Sequence, residues 1–303
     1  MFFFLLRRIA AAIPVLLIVA LIVFLMTRLA PGDPAAVIVG DAGTSADIAR
    51  VRSQLGLDQP LPVQFGKWSL QVLQGHLGES LFMKQTVASL IGQRIEPTLS
   101  LAALTLLLTV LVAVPLGVLA AWRHGGWLDR ALMGFSVLGF SIPTFVVGYL
   151  LIWLVALKGG LLPVQGYVRL DQGLWPWLRN LILPGLTLSI VYVALIARVT
   201  RAAVAEALTE DYIRTARSKG ISERSVLVRH ALINAAVPIV TVIGIGIGLL
   251  IGGVVVTETV FAIPGLGQLT VDAVLSRDYP LIQGITLFFS VIYVLINLLV
   301  DVS

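Results

Sequence analysis

Cysteine is absent from the 303 residues, which excludes disulfides, thiolate metal sites and cysteine nucleophiles. Charge is scarce: Asp, Glu, Lys and Arg make up 12% of the chain, against roughly 25% in soluble domains. A soluble fold this poor in charge could not cover its own surface. Catalytic signatures are missing as well. There is no His-Glu-x-x-His and no Gly-x-Ser-x-Gly. His76, His124 and His230 lie far apart in sequence and read as structural or interfacial side chains. The Gly66-Lys67 pair is followed by Trp68, where a Walker loop needs Ser or Thr. The chain is therefore expected to be no enzyme and to hold no metal or cofactor of its own. Net charge is +5, but the basic residues sit between apolar runs rather than on one face, which argues against nucleic acid.

What fills the chain is apolar: 58% of residues are hydrophobic and the mean hydropathy is +0.99. Six windows hold no Asp, Glu, Lys or Arg: 9–27, 97–122, 131–158 (stopping before Lys158), 180–197, 230–257 and 279–300. They run from about 18 to about 28 residues, and roughly 20 cross a bilayer. A charge at a span centre costs about 2.5–3.5 kcal/mol, so six such windows read as membrane spans. They do not alternate polar with apolar, which excludes a β-barrel. The expected fold is an all-α integral membrane protein with six transmembrane helices.

The first window is too long for a signal-peptide core and lacks a small-x-small cleavage site, so 1–29 reads as an uncleaved anchor. Arg7, Arg8, Arg123, Arg130, Arg198, Arg201 and the basic residues from Arg214 to Arg229 fall on one side of the spans. Only Lys158, Arg169, Arg179 and Arg277 fall in short segments on the other. The positive-inside rule then puts both termini in the cytoplasm. Segment 30–96 becomes an extracytoplasmic helical subdomain, with Leu61, Phe65, Trp68 and Val72 on one helix face and helix ends at Leu55-Gly56 and Gln74-Gly75. It reads as a cap on the membrane domain or as a contact for a periplasmic partner. Residues 97–303 form the transmembrane domain, interrupted by a cytoplasmic loop at 198–229.

That loop has local grammar. Thr209 is expected to N-cap a helix starting at Glu210, with Leu208 and Ile213 as its hydrophobic staple. Arg217 and Lys219 suit the last turn, and Gly220 stops it. Ser222 then caps a second helix, with Ile221 and Val226 as the staple. Two capped helices suit a docking surface better than a bare connector.

Inside the spans there is no Asp or Glu and no His except His230 at an edge, so no proton relay is visible and energy for transport must come from elsewhere. This disfavours a self-sufficient channel or secondary carrier, and no constellation for a membrane-embedded enzyme is present. Gly244, Gly248 and Gly252 form a small-residue stripe for helix packing, within the chain or against another. Gln283, Thr286, Ser290, Tyr293 and Asn297 form a polar stripe on the last span. It either bonds to neighbouring helices or lines a translocation path. Thr98, Thr105 and Thr109 make a smaller stripe read as packing. Pro14, Pro115, Pro143, Pro184 and Pro238 lie in or at the start of spans.

Several stretches in order resemble the dipeptide/oligopeptide ABC transporter permeases of the first-permease type. They are Arg28-Leu29-Ala30-Pro31-Gly32-Asp33-Pro34, Leu55-Gly56-Leu57-Asp58-Gln59-Pro60, Gly78-Glu79-Ser80, Thr257-Glu258-Thr259-Val260-Phe261, Pro264-Gly265-Leu266-Gly267 and Arg277-Asp278-Tyr279-Pro280. The stretch from Glu210 to Gly220 looks like that family's "EAA" loop. The resemblance implies a type I importer permease fold in the bacterial inner membrane. It further implies a second, homologous permease, a periplasmic solute-binding protein, and ATP-binding subunits that carry the ATP and Mg. Those subunits would dock at Tyr212, Arg214, Thr215, Ala216, Arg217 and Gly220. Arg214 stands where the general motif has Glu, Thr215 where it has its first Ala, and Ile233 where it closes on Pro. The implied substrates are small peptides, with glutathione or a nickel complex as alternatives. Relatives continue past the last span, so a C-terminal tail beyond Ser303 is expected to be missing.

Overall fold

The computed structural model describes residues 2–29, 34–39, 44–54 and 56–302. Residues 30–33 of the motif after the first span, Leu55 and Ser303 lie outside the described residues. The described chain is helical, with one isolated bridge between Glu79 and Thr86. In chain order the helices are α1 (Phe2–Leu29), α2 (Pro34–Val39), α3 (Ser45–Gln54), α4 (Leu61–Leu73), α5 (Val87–Trp122), α6 (Trp127–Ser141) and α7 (Thr144–Leu151). They continue with α8 (Leu174–Ala207), α9 (Asp211–Ser218), α10 (Glu223–Ser225), α11 (Leu232–Asn234), α12 (Ala236–Val260), α13 (Leu266–Leu275) and α14 (Tyr279–Val302). A backbone surrounded by apolar side chains and lipid must satisfy itself, and helices do so within one segment.

By length and composition α1, α5, α8, α12 and α14 can each cross a membrane, and the third window brings the count to six. That third window is not the straight span expected from hydropathy. Trp127–Ser141 and Thr144–Lys158 bend by 102°. The cause is Pro143: its ring disfavours the helical region for the preceding residue, and Ile142 is extended at φ −94°, ψ 122°. Pro143 then opens α7, which runs on as a π-helical stretch, Ile152–Lys158. Pro14, Pro115 and Pro184 are carried inside continuous helices.

The chain divides into two compact units, 1–93 with 270–298 and 94–269 with 299–303. In the first, Phe24 of α1 packs on Phe65 and Trp68 of α4, with ring centroids 5.4 and 5.6 Å apart. Leu61, placed on the same face from sequence, stays exposed. Gly75, at φ +84°, ends α4 as expected.

The second unit is built around α8. Leu181, Leu188 and Tyr192 pack with Leu101 of α5 and Leu250 and Val254 of α12. Small residues let the helices close in. A Cβ on Gly117 would sit 2.7 Å from the Ala197 carbonyl oxygen, and one on Gly139 would sit 2.8 Å from the Ala194 methyl. These two glycines let α5 and α6 close on α8 and do not stand out in sequence. Of the stripe that does, Gly244 is closed over by Val300, whereas Gly252 is exposed with open space around its Cα.

Candidate functional site

Three polar constructions hold the second unit, and the first is the 208–235 connection between α8 and α12. Its helix α9 is N-capped by Glu210, extended at φ −68°, ψ 151°, and not by Thr209. Thr209 instead donates its hydroxyl to the Glu206 carbonyl at 2.7 Å, closing the end of α8. Asp211 in the first turn suits the helix dipole. The other end is a Schellman closure: Gly220 lies at φ +74°, its N–H donates to Arg217 O at 2.9 Å, and Ile221 N–H donates to Ala216 O at 3.3 Å. Ser222 sits at the N-cap of α10 as expected, without a side-chain cap bond. The second helix changes type along its length. It passes into a π-helical stretch, Val226–Ala231, and through α11 before α12 begins.

One face of α9 is buried. Ile213 and Ala216 join a cluster with Val204 and Ala207 of α8 and with Val226 and Ala235. The other face is open: Tyr212 is 39% exposed, the Arg214 side chain is 78% exposed, and Thr215 is exposed beside them. Arg214 pairs with Asp211 at 3.2 Å, while Arg217 forms a two-pronged pair with Glu223 at 2.9 and 3.2 Å across the Gly220 turn. Such exposed pairs add at most about 1 kcal/mol, and this fork links α9 to α10 across the turn. The site residues singled out in sequence therefore divide: Tyr212, Arg214 and Thr215 face outward, Ala216 is core, and Arg217 and Gly220 set geometry.

The second construction has no signal in the sequence. Asp129 of α6 is buried and accepts from Arg201 Nε at 2.8 Å, Arg201 Nη2 at 2.7 Å and the Gly125 N–H at 2.9 Å. His124 Nδ1 lies 3.1 Å from the same carboxylate. The turn before α6 is thereby tied to α8 shortly before α9. In sequence Arg201 counts only toward orientation, and Asp129, one residue before Arg130, reads as an ordinary flank charge.

The third lies at the other ends of α5 and α12. Glu258, 0% exposed, accepts from the Thr98 hydroxyl at 2.6 Å and from the Gln268 N–H at 3.0 Å. Thr98 Oγ1 in turn accepts from the Leu266 N–H at 2.8 Å. The pair thus caps the first turn of α13. A Cβ on Gly265 would overlap the Glu258 carboxylate, and one on Gly267 would sit 2.6 Å from Val255 Cα, so both glycines are needed for this approach. Nearby, Glu96 accepts from the Tyr167 hydroxyl at 3.1 Å and pairs with Arg169 at 2.8 Å. Burial, together with the Glu96 charge, pushes the Tyr167 phenol above its ordinary pKa.

The polar stripe of α14 spends much of its hydrogen bonding on its own helix. Thr286 and Ser290 donate to Ile282 O and Thr286 O at 2.8 and 2.7 Å, and Asn297 donates to Tyr293 O at 2.9 Å. Tyr293 is 48% exposed. Thr105 and Thr109 of α5 are buried, their hydroxyls without a partner among the described residues. Among the described residues no three His, Asp or Glu side chains group as a metal site.

Comparison with known proteins places these features. Residues 113–303 match the family model for the binding-protein-dependent transport system inner membrane component, and residues 1–102 match its N-terminal companion. A probable peptide ABC transporter permease of Sinorhizobium fredii is 54% identical over 300 residues, covering 99% of this chain and 96% of that protein. A putative peptide transport permease of Brucella abortus is 45% identical, covering 98% and 95%. The glutathione transport permease of Salmonella paratyphi A is 44% identical, covering 99% and 95%. Among solved structures, the inward-facing MetNI methionine ABC transporter aligns with TM-score 0.56 at 18% identity, over 71% of this chain and 94% of that one, which is a likeness of fold. The chain is a multi-pass membrane protein that belongs to the binding-protein-dependent transport system inner-membrane component family, the permeases of ABC importers.

Proposed function

We propose that this chain forms half of the transmembrane pathway of an ATP-driven importer of small peptides in a bacterial inner membrane. A second, homologous permease supplies the other half, a periplasmic solute-binding protein delivers the peptide, and ATP-binding subunits hold the ATP and Mg. The observation that carries the reading is the capped α9 helix, anchored through Ile213 and Ala216 to the same cluster as α8 and the segment leading into α12. Its outward face offers Tyr212 as a hydrophobic anchor and Arg214 as a cationic contact. An element joined rigidly to two spans can pass a rigid-body movement of the ATPases into the membrane. The basic flanks put α9 in the cytoplasm and the 30–96 segment outside. With no Asp or Glu inside the six charge-free windows, hydrolysis in partner subunits supplies the energy.

Peptide is favoured over glutathione because the relatives at 54% and 45% identity are named for peptides, against 44% for the glutathione permease. The test is reconstitution of the complex in liposomes. Uptake of a labelled dipeptide should require ATP inside and the binding protein outside. Uptake by this chain without ATPase partners would sink the proposal.

A further inference from the structure

The first unit contains a cleft of about 530 Å³ that none of the helix-packing features explains. Its walls come from the end of α1, the turn before α4, α4 itself, the stretch carrying Gly78 and Glu79, and the start of α14. Two left-handed glycines shape it, Gly56 at φ +66° and Gly78 at φ +89°. The volume falls in the range of small-molecule sites, roughly 300–1,000 Å³.

Three buried polar atoms on cleft-lining residues have no partner among the described residues: Arg28 Nε, Gln59 Oε1 and Gln64 Oε1. Gln64 is 7% exposed, and its Nε2 already donates to Leu57 O and Gln59 O at 3.1 and 2.7 Å, which fixes the side chain and leaves Oε1 as a bare acceptor. Arg28 is held over the Phe24 ring at 5.2 Å. Arg28, Lys67 and Glu79 all line the cleft and form no ion pair among the described residues. Leaving the three buried atoms unpaired is costly, and a ligand that pairs them recovers that cost, while the exposed Lys67 and Glu79 offer it opposite charges.

We infer that this cleft binds a free small peptide. Arg28 and Lys67 receive its terminal carboxylate, the Gln59 and Gln64 oxygens accept its N–H groups, Glu79 faces its ammonium, and Trp68 packs on a side chain. A bare inorganic anion would satisfy the cations and leave both glutamine acceptors unpaired. The inference rests on the peptide-import reading and gives this subunit a holding site outside the spans.

The test uses the purified full-length chain in lipid nanodiscs, without the binding protein or ATPases, titrated calorimetrically. The probes are L-alanyl-L-alanine, its C-terminal amide and its N-acetyl form. The free dipeptide should bind saturably. The amide should bind at least about tenfold more weakly, the loss expected for one charge-assisted contact. The N-acetyl form should also bind more weakly, because it brings no ammonium to Glu79. Arg28→Gln and Lys67→Gln should weaken the free dipeptide similarly and leave the amide unchanged. Lys67 is exposed, so its variant keeps the fold even if Arg28→Gln does not. Equal binding of free and amidated dipeptide, wild-type affinity in Lys67→Gln, or no saturable binding overturns the site. If ATP-driven uptake persists in the reconstituted complex while the isolated chain binds nothing, only the cleft is lost. If uptake itself needs no ATPase, the permease reading fails instead.

Discussion

Ser80 donates its hydroxyl to the Asp278 carboxylate, joining buried side chains 198 positions apart. The same Ser80 oxygen accepts from the Met83 N–H at 2.9 Å, and Asp278 also accepts from Leu281 N–H at 3.4 Å. The Gly78-Glu79-Ser80 and Arg277-Asp278-Tyr279-Pro280 stretches are thus one construction, in which Asp278 caps α14 and holds the turn before α5. Ser80→Ala removes the donor and leaves a buried carboxylate under-bonded. It should cost about 1–3 kcal/mol, read as an earlier midpoint when the purified chain is unfolded by SDS in mixed micelles. An unchanged midpoint would show that the contact is dispensable.

Breaking the Asp129–Arg201 pair should cost a similar amount. Asp129→Asn keeps the size but strips a partly buried guanidinium, its side chain 21% exposed, of its charge partner, an expected loss of about 1–3 kcal/mol. Arg201→Lys keeps the charge and loses the fork, so its unfolding midpoint should fall between wild type and Asp129→Asn. Equal midpoints for Arg201→Lys and wild type would mean that two-pronged geometry contributes nothing here.

Thr98→Val removes the donor to Glu258 and the acceptor for the Leu266 N–H in one step. The first turn of α13 should then open more often, and amide exchange at residues 266–268 should speed up at least tenfold relative to wild type, about 1.4 kcal/mol of lost protection. Thr98→Ser restores both bonds and should exchange as wild type does. Slow exchange in the valine variant would refute the capping role.

Local chemistry was legible in the sequence and long-range pairing was not. The charge-free windows found the long helices because lipid admits few other backbones. The same windows missed the bend at Pro143, since hydropathy carries no direction. Gly220 could be read because a left-handed helix end is a one-residue demand. Thr209 misled because it and Glu210 are adjacent candidates, and its hydroxyl goes back to Glu206. Ser80 with Asp278, Thr98 with Glu258, and Asp129 with Arg201 meet only once the chain has folded, and nothing in a single sequence links the members of each pair. The cleft beside Gln64 brings Arg28, the stretch 53–81 and the start of α14 together and was illegible for the same reason.

Transmission through α9 requires that its orientation be fixed, and Gly220 at φ +74° fixes it. A β-branched residue there costs about 1 kcal/mol or more and should tilt the helix while the spans still insert. Arg214→Glu reverses the exposed charge that the ATPase would meet. The decisive measurement is ATP hydrolysis by the purified complex, with and without substrate-loaded binding protein, in wild type, Gly220→Val and Arg214→Glu. Both variants should assemble and receive the binding protein, yet lose most of the stimulation and of dipeptide uptake. Full stimulation with normal uptake in both variants would make α9 a passive connector and contradict coupling through it.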